Sequence, residues 1–307
     1  MGRFILVRLL QTFLALIGIS LLVFILVRAS GDPALMLISS TATEDEIDNI
    51  RKQLGLNKPI AAQYLLYVKN LARGDLGKSL FNKRPIAEMI AERLPNSLRL
   101  GVIAFFLSMA VAFALGILGA TRRDTWMDNG VKLIAILGQA LPGFWISIMA
   151  IYVFAVVLRL TPASGMGTPA HYILPVGTMA FFLLPGMLRL VRSSMLDVLD
   201  SEYIKLARIK GLPERVVIWK HALRNALIAP LTAAGMIFRI VITGAVVTEY
   251  VFSWPGVGRL LVDSINSRDF PITQGVVLMM AFLVLMINLL VDILYAYIDP
   301  QIRFQKS

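Results

Sequence analysis

LGVIAFFLSMAVAFALGILGA, residues 100–120, runs for 21 residues without a charge. A helix rises about 1.5 Å per residue, so this stretch is long enough to cross the roughly 30 Å hydrocarbon core of a bilayer. Residues 9–27 and 133–158 are uncharged over 19 and 26 residues and read the same way. Residues 172–188 add 17 more, residues 225–248 are apolar apart from Arg239, and residues 275–291 continue past Asp292 into Ile-Leu-Tyr-Ala-Tyr. The fold class expected is all-α, a polytopic membrane helix bundle with six transmembrane helices. The first span is read as retained, because 19 apolar residues are long for a signal peptide and no clean small-x-small cleavage site follows.

Composition agrees. Of 307 residues 57% are hydrophobic and 16% charged, with a mean hydropathy of +0.74, which excludes an ordinary soluble domain. The net charge of +11 would suggest nucleic acid in a soluble protein. In a membrane protein it reports topology instead, so no nucleic-acid partner is expected. The chain lacks cysteine, which removes disulfides, thiolate chemistry and Cys-based metal sites. His171 and His221 are too few and too far apart to argue for a metal. No Ser-His dyad, catalytic aspartate pair or zinc motif falls within the spans, so no catalytic or metal residue is assigned and the chain is not read as an enzyme.

Six spans put both termini on one side, and the Lys and Arg of the short loops choose which. Arg3 and Arg8, then Arg122, Arg123 and Lys132, then eight cations between residues 189 and 224, then Arg303 and Lys306 all fall on the terminal side. Opposite them the short loops hold only Arg159, Arg259 and Arg268. The N and C termini are therefore expected to be cytoplasmic. The segment from about 30 to 98 is then external; its cations do not overturn this, because long translocated segments largely escape the rule.

That orientation disposes of a false lead. ARGDLGKS, residues 72–79, has the spacing of a P-loop with its first glycine relaxed to alanine. It lies on the side without an ATP pool, and it follows Tyr64, Leu65, Tyr67, Val68 and Leu71 at helical rather than strand spacing. A glycine-rich turn after an amphipathic helix is the better reading. Residues 43–71 look like two short helices, with a capping-box start at Thr43-Glu-Asp-Glu46 and a break at Gly55 to Pro59. A small external helical insert at 30–98, between helices 1 and 2, is expected beside the pore mouth.

SEYIKLARIKGLPERVVIWKHALRNALIAPL, residues 201–231, reads as helix, break, helix on the cytoplasmic side. Ser201 or Asp200 can cap the first helix, Gly211 can take the left-handed conformation that ends it, and Pro213 suits the first turn of the next. Tyr203, Leu206 and Ala207 form a short apolar stripe on a helix that also carries Lys205 and Arg208. Such a helix lies on the membrane surface or docks into a groove of another protein.

EYIKLARIKG followed by KHALRNAL resembles the cytoplasmic coupling loop of ABC importer permeases, in the branch importing dipeptides, oligopeptides, glutathione and nickel. The resemblance extends over nearly the whole chain: GDPA at 31–34, QLGLNKPI at 53–60, GDLGKS at 74–79, RSSMLDVL at 192–199, FSWPGVGRLLVDSI at 252–265, RDFP at 268–271 and NLLVDILYAYIDPQIR at 288–303. It implies one permease domain over 1–307, the first of a pair, that joins a second homologous permease, two ABC ATPase subunits and an external solute-binding protein in a bacterial inner membrane. The family implies no cofactor on this chain, since ATP and Mg belong to the ATPases. Residues 200–226 would be the coupling loop, with Glu202, Tyr203, Lys205, Leu206, Ala207, Arg208, Lys210 and Gly211 as the residues meeting an ATPase groove. The general importer pattern E-A-A-x-x-x-G keeps only Ala207 and Gly211 here.

Arg239, near the middle of the fifth span, is expensive in a bilayer and is expected to face a pore or a partner. It would line the substrate path with Glu249, attracting a substrate carboxylate or pairing with Glu249 or an acid of the second permease. Glu249 and Asp292 also suit interfacial anchors. Trp254-Pro-Gly-Val-Gly258 cannot continue a helix, and Pro142, Pro175 and Pro185 are candidate kinks. Peptide is the cargo expected first, with nickel or glutathione as alternatives and a stand-alone channel or secondary carrier as the rival class.

Overall fold

A computed structural model of the chain describes residues 2–31, 34, 43–53 and 55–298. Asp32 and Pro33 of the GDPA stretch at 31–34, the tail cations Arg303 and Lys306, and the side chains of Glu44 and Glu46 in the expected capping box lie outside the described residues. Among those described, the regular structure is helical apart from a single bridge between Lys78 and Pro85. The helices are α1 (Gly2–Ala29), α2 (Glu44–Gln53), α3 (Ile60–Leu71), α4 (Ile86–Thr121), α5 (Trp126–Ala140), α6 (Gly143–Ala150), α7 (Ala170–Leu199), α8 (Glu202–Ile209), α9 (Glu214–Val216), α10 (Leu223–Ala226), α11 (Ile228–Val251), α12 (Val257–Asn266) and α13 (Phe270–Ile298). Two stretches, Ile151–Val157 after α6 and Val217–Ala222 between α9 and α10, wind as π-helix.

Four stretches are continuous helices long and apolar enough to cross a membrane: Ile5–Ala29, Ile86–Thr121, Ala170–Leu199 and Phe270–Ile293. Two bent pairs bring the number to six if each is one span: Trp126–Ala140 with Gly143–Val157, bent by 105°, and Glu214–Ala226 with Ile228–Val241, bent by 49°. The span expected at 133–158 is thus broken rather than straight. Pro142 is the cause: it has no N–H to donate, and its ring pushes Leu141 into extended backbone at φ −90° and ψ 132° before the helix restarts at Gly143. Pro175 and Pro185 lie inside α7, which continues through both.

The chain divides into two compact units, Met1–Ser97 with Pro255–Ser307, and Leu98–Trp254. In the first, α1 and α12 both pack on α13, and Ile86, Ile90, Val257, Leu260, Ile272 and Val276 form a small core. The Ser97 hydroxyl accepts the Val257 N–H at 2.8 Å, and the Asn96 amide donates to the Pro255 carbonyl at 3.0 Å, so the start of α12 is tied to α4. Arg8 on α1 and Asp292 on α13 pair at 3.4 Å. Helix α3 lies along α1 rather than beyond its end. The Tyr64 hydroxyl is 2.9 Å from that of Ser20, and Phe24 meets Tyr64 and Tyr67 at ring centroids of 5.4 and 5.9 Å. Ser20 is nine residues inside the end of α1, about 14 Å along the axis. Leu65 and Leu66, exposed on α3, therefore sit level with apolar α1 rather than above it.

The same unit shows why ARGDLGKS is not a P-loop. Helix α4 does not start until Ile86. The Ser79 hydroxyl, which in a P-loop would face the metal, is buried and donates to Asp269 at 2.6 Å, while the Leu80 N–H donates to the other carboxylate oxygen at 3.3 Å. GDLGKS and RDFP, 190 residues apart in sequence, thus meet at one buried carboxylate.

In the second unit α7 is the central helix: α5, α6, α10 and α11 pack on it, and α8 follows from its end. Met179, Leu183, Met187, Leu188, Val191 and Met195 are buried along its length. The turn after α11 is anchored by Trp254, fully buried, whose ring meets Tyr172 edge-on at a centroid distance of 4.6 Å and whose backbone N–H donates to the Glu249 carbonyl at 2.8 Å.

Asp269→Ala strands two buried donors and is expected to cost about 2 kcal/mol, while Asp269→Asn, which keeps an acceptor, costs less. Apparent melting of the detergent-purified protein measures this. Equal melting of wild type and the alanine variant would show that the carboxylate does not hold the two segments together.

Candidate functional site

Helix α8 is short, amphipathic and displayed at the end of α7. Its backbone begins at Ser201, whose carbonyl accepts from the Lys205 N–H at 3.1 Å. The expected side-chain cap is absent. The Ser201 hydroxyl instead donates to the Val198 carbonyl at 2.5 Å, and the Asp200 carboxylate is taken by Arg123 at 3.2 Å. The cause is proximity: α7 ends two residues earlier, so its open terminal carbonyls compete for the hydroxyl.

The helix has two apolar faces, not one. Ile204 and Ala207 turn inward, buried in the core of their unit. Tyr203, Leu206 and Ile209 point outward at i, i+3 spacing, joined by Leu212, and Ile209 is 81% exposed. Of the residues picked from sequence, Ala207 is therefore an inward packing residue, separated from the outward Tyr203 and Leu206. Ile209 and Leu212 were not picked; the three-residue spacing from Leu206 to Ile209 was the signal.

Two of the six Lys and Arg side chains of the loop are matched within it. Lys205 binds Glu202 at 2.7 Å, and Arg208 forks onto Glu214 at 2.8 and 3.2 Å. The Arg208 guanidinium holds the Glu214 carboxyl below the usual carboxylate range, and Glu202 raises the Lys205 ammonium above its ordinary value. Lys210 has no ion-pair partner among the described residues.

Gly211 closes the helix in the expected left-handed conformation, φ +77°, with its N–H on the Arg208 carbonyl at 2.9 Å and that of Leu212 on Ala207 at 3.3 Å. Pro213, extended at φ −63° and ψ 141°, precedes α9 rather than occupying its first turn. The Asn225 amide donates to the Tyr203 hydroxyl at 2.8 Å, bracing α8 against the returning chain.

Arg239 and Glu249 lie on one continuous helix, α11. Ten residues correspond to about 15 Å, too far for the two to pair with each other. The Arg239 Nε is buried without a hydrogen-bond partner among the described residues. Glu249 is 0% exposed, and its carbonyl accepts from the Trp254 backbone N–H at the base of that turn.

The chain is thus a multi-span helical bundle bearing a short helix with an exposed apolar face. The chain belongs to the family described as binding-protein-dependent transport system inner membrane component, whose profile matches residues 112–304; the family's N-terminal profile matches residues 1–101. It is 39% identical over 313 residues to a putative peptide transport system permease protein of Brucella abortus (strain 2308), covering 99% of this chain and 100% of the relative. It is equally 39% identical over 306 residues to the glutathione transport system permease protein GsiC of Escherichia coli (strain K12), covering 99% and 100%. Among solved structures, the inward-facing MetNI methionine ABC transporter matches with a TM-score of 0.59 at 15% identity, over 69% of this chain and 96% of that one. An amino acid ABC transporter solved with histidines matches at 0.53 and 14%, over 68% and 94%. These two likenesses are likenesses of fold. The chain is a multi-pass inner-membrane component of a transport system.

A β-branched residue at a positive φ costs about 1–2 kcal/mol. Gly211→Val is therefore expected to insert normally and to lower transport about tenfold, with Gly211→Ala intermediate. Normal transport by the valine variant would count against the left-handed turn as a coupling feature.

Proposed function

We propose that this chain is the first of two paired permeases of an ATP-driven importer of di- and oligopeptides, glutathione among them. In this reading residues 1–307 are one permease domain with cytoplasmic termini, residues 30–98 form its external insert, and residues 200–226 dock the ATPases. The second permease completes the path, an external solute-binding protein delivers the cargo, lipid surrounds the bundle, and ATP and Mg stay on the two ATPase subunits. The single observation that carries the docking role is the outward face of α8: Tyr203, Leu206, Ile209 and Leu212 are exposed at the end of a loop whose inner face is already satisfied. Burying one such side chain is worth about 1.5–3 kcal/mol, so a complementary groove would hold it firmly. Glu202, Lys205, Arg208 and Lys210 would rim that groove.

The relatives named for peptide and for glutathione carry the cargo assignment, since glutathione is itself a peptide with free carboxylates. Arg239 would meet those carboxylates within the membrane, and Glu249 would stand further along the same helix. Ile209→Asp is expected to lower recovery of the ATPases with tagged permease at least about tenfold, leaving the second permease bound. Undiminished recovery would remove α8 as the dock. Uptake of labelled dialanine and glutathione, with nickel as a control cargo, should cease when the ATPases are inactivated; persistence would favour a self-contained carrier. Arg239→Met is expected to weaken uptake of carboxylate-bearing cargo, and unchanged transport and substrate range would refute its path role.

A further inference from the structure

A heavily bonded buried charge lies away from both features above. Asp128, in the first turn of α5, is 0% exposed. Arg192 on α7 forks onto it, Nε to Oδ1 at 2.6 Å and Nη2 to Oδ2 at 2.8 Å. Lys132 reaches Oδ2 at 2.8 Å, and the backbone N–H of Asp124 donates to Oδ2 at 3.2 Å. Two glycines of α4 make room for this cluster. A Cβ on Gly119 would sit 3.3 Å from Asp128 Oδ1 and 3.1 Å from Val131, and one on Gly116 would sit 2.7 Å from the Val191 side chain and 3.2 Å from the Arg192 backbone nitrogen, so Gly116 lets α4 approach α7 beside the cluster. Helices α4, α5 and α7 thus close on one buried carboxylate.

Its place along the chain matters. Arg192 is two turns before the end of α7, and Asp200 and Ser201 alone separate that end from α8. Arg123, on the same turn as Asp124, holds Asp200 as well. At its other end α5 leads into the 105° break at Leu141–Pro142. A two-residue joint connects α8 to the base of α7, and the Asp128 fork connects α7 to α5, so a continuous covalent and ionic path runs from α8 to α5. A bidentate pair suits this task, because it resists both translation and rotation where apolar side chains would slide.

We propose that Asp128, held by Arg192, is a positioning residue that makes α5 and its broken span follow the coupling helix. This rests on the reading of α8 as the ATPase dock. The test uses the assembled complex in lipid nanodiscs, with hydrogen exchange followed by mass spectrometry, with and without ATP plus orthovanadate. Because Asp128→Asn alone leaves Arg192 without its counter-charge, the primary variant is the neutral pair Asp128→Asn with Arg192→Gln. In wild type, trapping should change protection in both α8 and residues 126–140. In the neutral pair the change in α8 should remain, with ATPases still bound, while that in 126–140 falls at least about fivefold. Arg192→Lys, which keeps the charge and loses the fork, should retain an intermediate fraction. A neutral pair whose residues 126–140 respond as in wild type overturns the tether while leaving the dock intact. No response of α8 in wild type overturns the dock and the tether with it. If the neutral pair does not assemble, Arg192→Lys decides, and an undiminished response in 126–140 overturns the tether.

Discussion

A peptide group in hydrocarbon has no water to bond, so each N–H and C=O in a span must find its partner inside the protein. That constraint shapes the chain. It accounts for the all-helical architecture, and it confines irregular backbone to places where other groups replace the missing bonds. The break at Pro142 sits where α6 and α5 both pack on α7, and the turn after α11 is filled by Trp254 and braced by the Glu249 carbonyl. The reversal at Gly211 lies in the loop after α8, where its amide is still satisfied by Arg208.

Within that frame, polar contacts do two kinds of work. Exposed pairs such as Lys205–Glu202 and Arg208–Glu214 are screened by solvent and mainly shape the loop surface. Buried carboxylates set geometry. Asp269 joins segments 190 residues apart, and Asp128 joins α5 to α7 where Gly119 of α4 lies close. Neither can be neutralised cheaply, because the donors around it would be stranded. In α8 these influences meet: apolar burial of Ile204 fixes the helix to its own unit, and the outward face is left for another subunit.

Much of this could be read from the sequence. Uncharged runs identified the spans, the lysine and arginine balance suggested their orientation, and Gly211 was recognisable as a left-handed stop because it follows a helix and precedes Leu-Pro. The errors have physical causes. A period of 3.6 placed Leu206 and Ala207 on one stripe, yet they are neighbours 100° apart on the helix, and burial put them on opposite sides. Ser201 had the right chemistry for a cap, but the carbonyls of the preceding helix were nearer. Length and apolarity could not distinguish a straight span at 133–158 from one broken by Pro142.

The sequence by itself determined that the chain crosses a membrane, that Gly211 ends the helix after Ser201, and which family it joins, because hydrophobic run length and Gly act locally and leave a local record. Only the tertiary structure decided which side of α8 is free, and that Asp128 and Arg192 meet where Gly116 and Gly119 let α4 approach. Those outcomes depend on which distant segments meet, and a side chain carries no mark of its partner until packing removes the water between them.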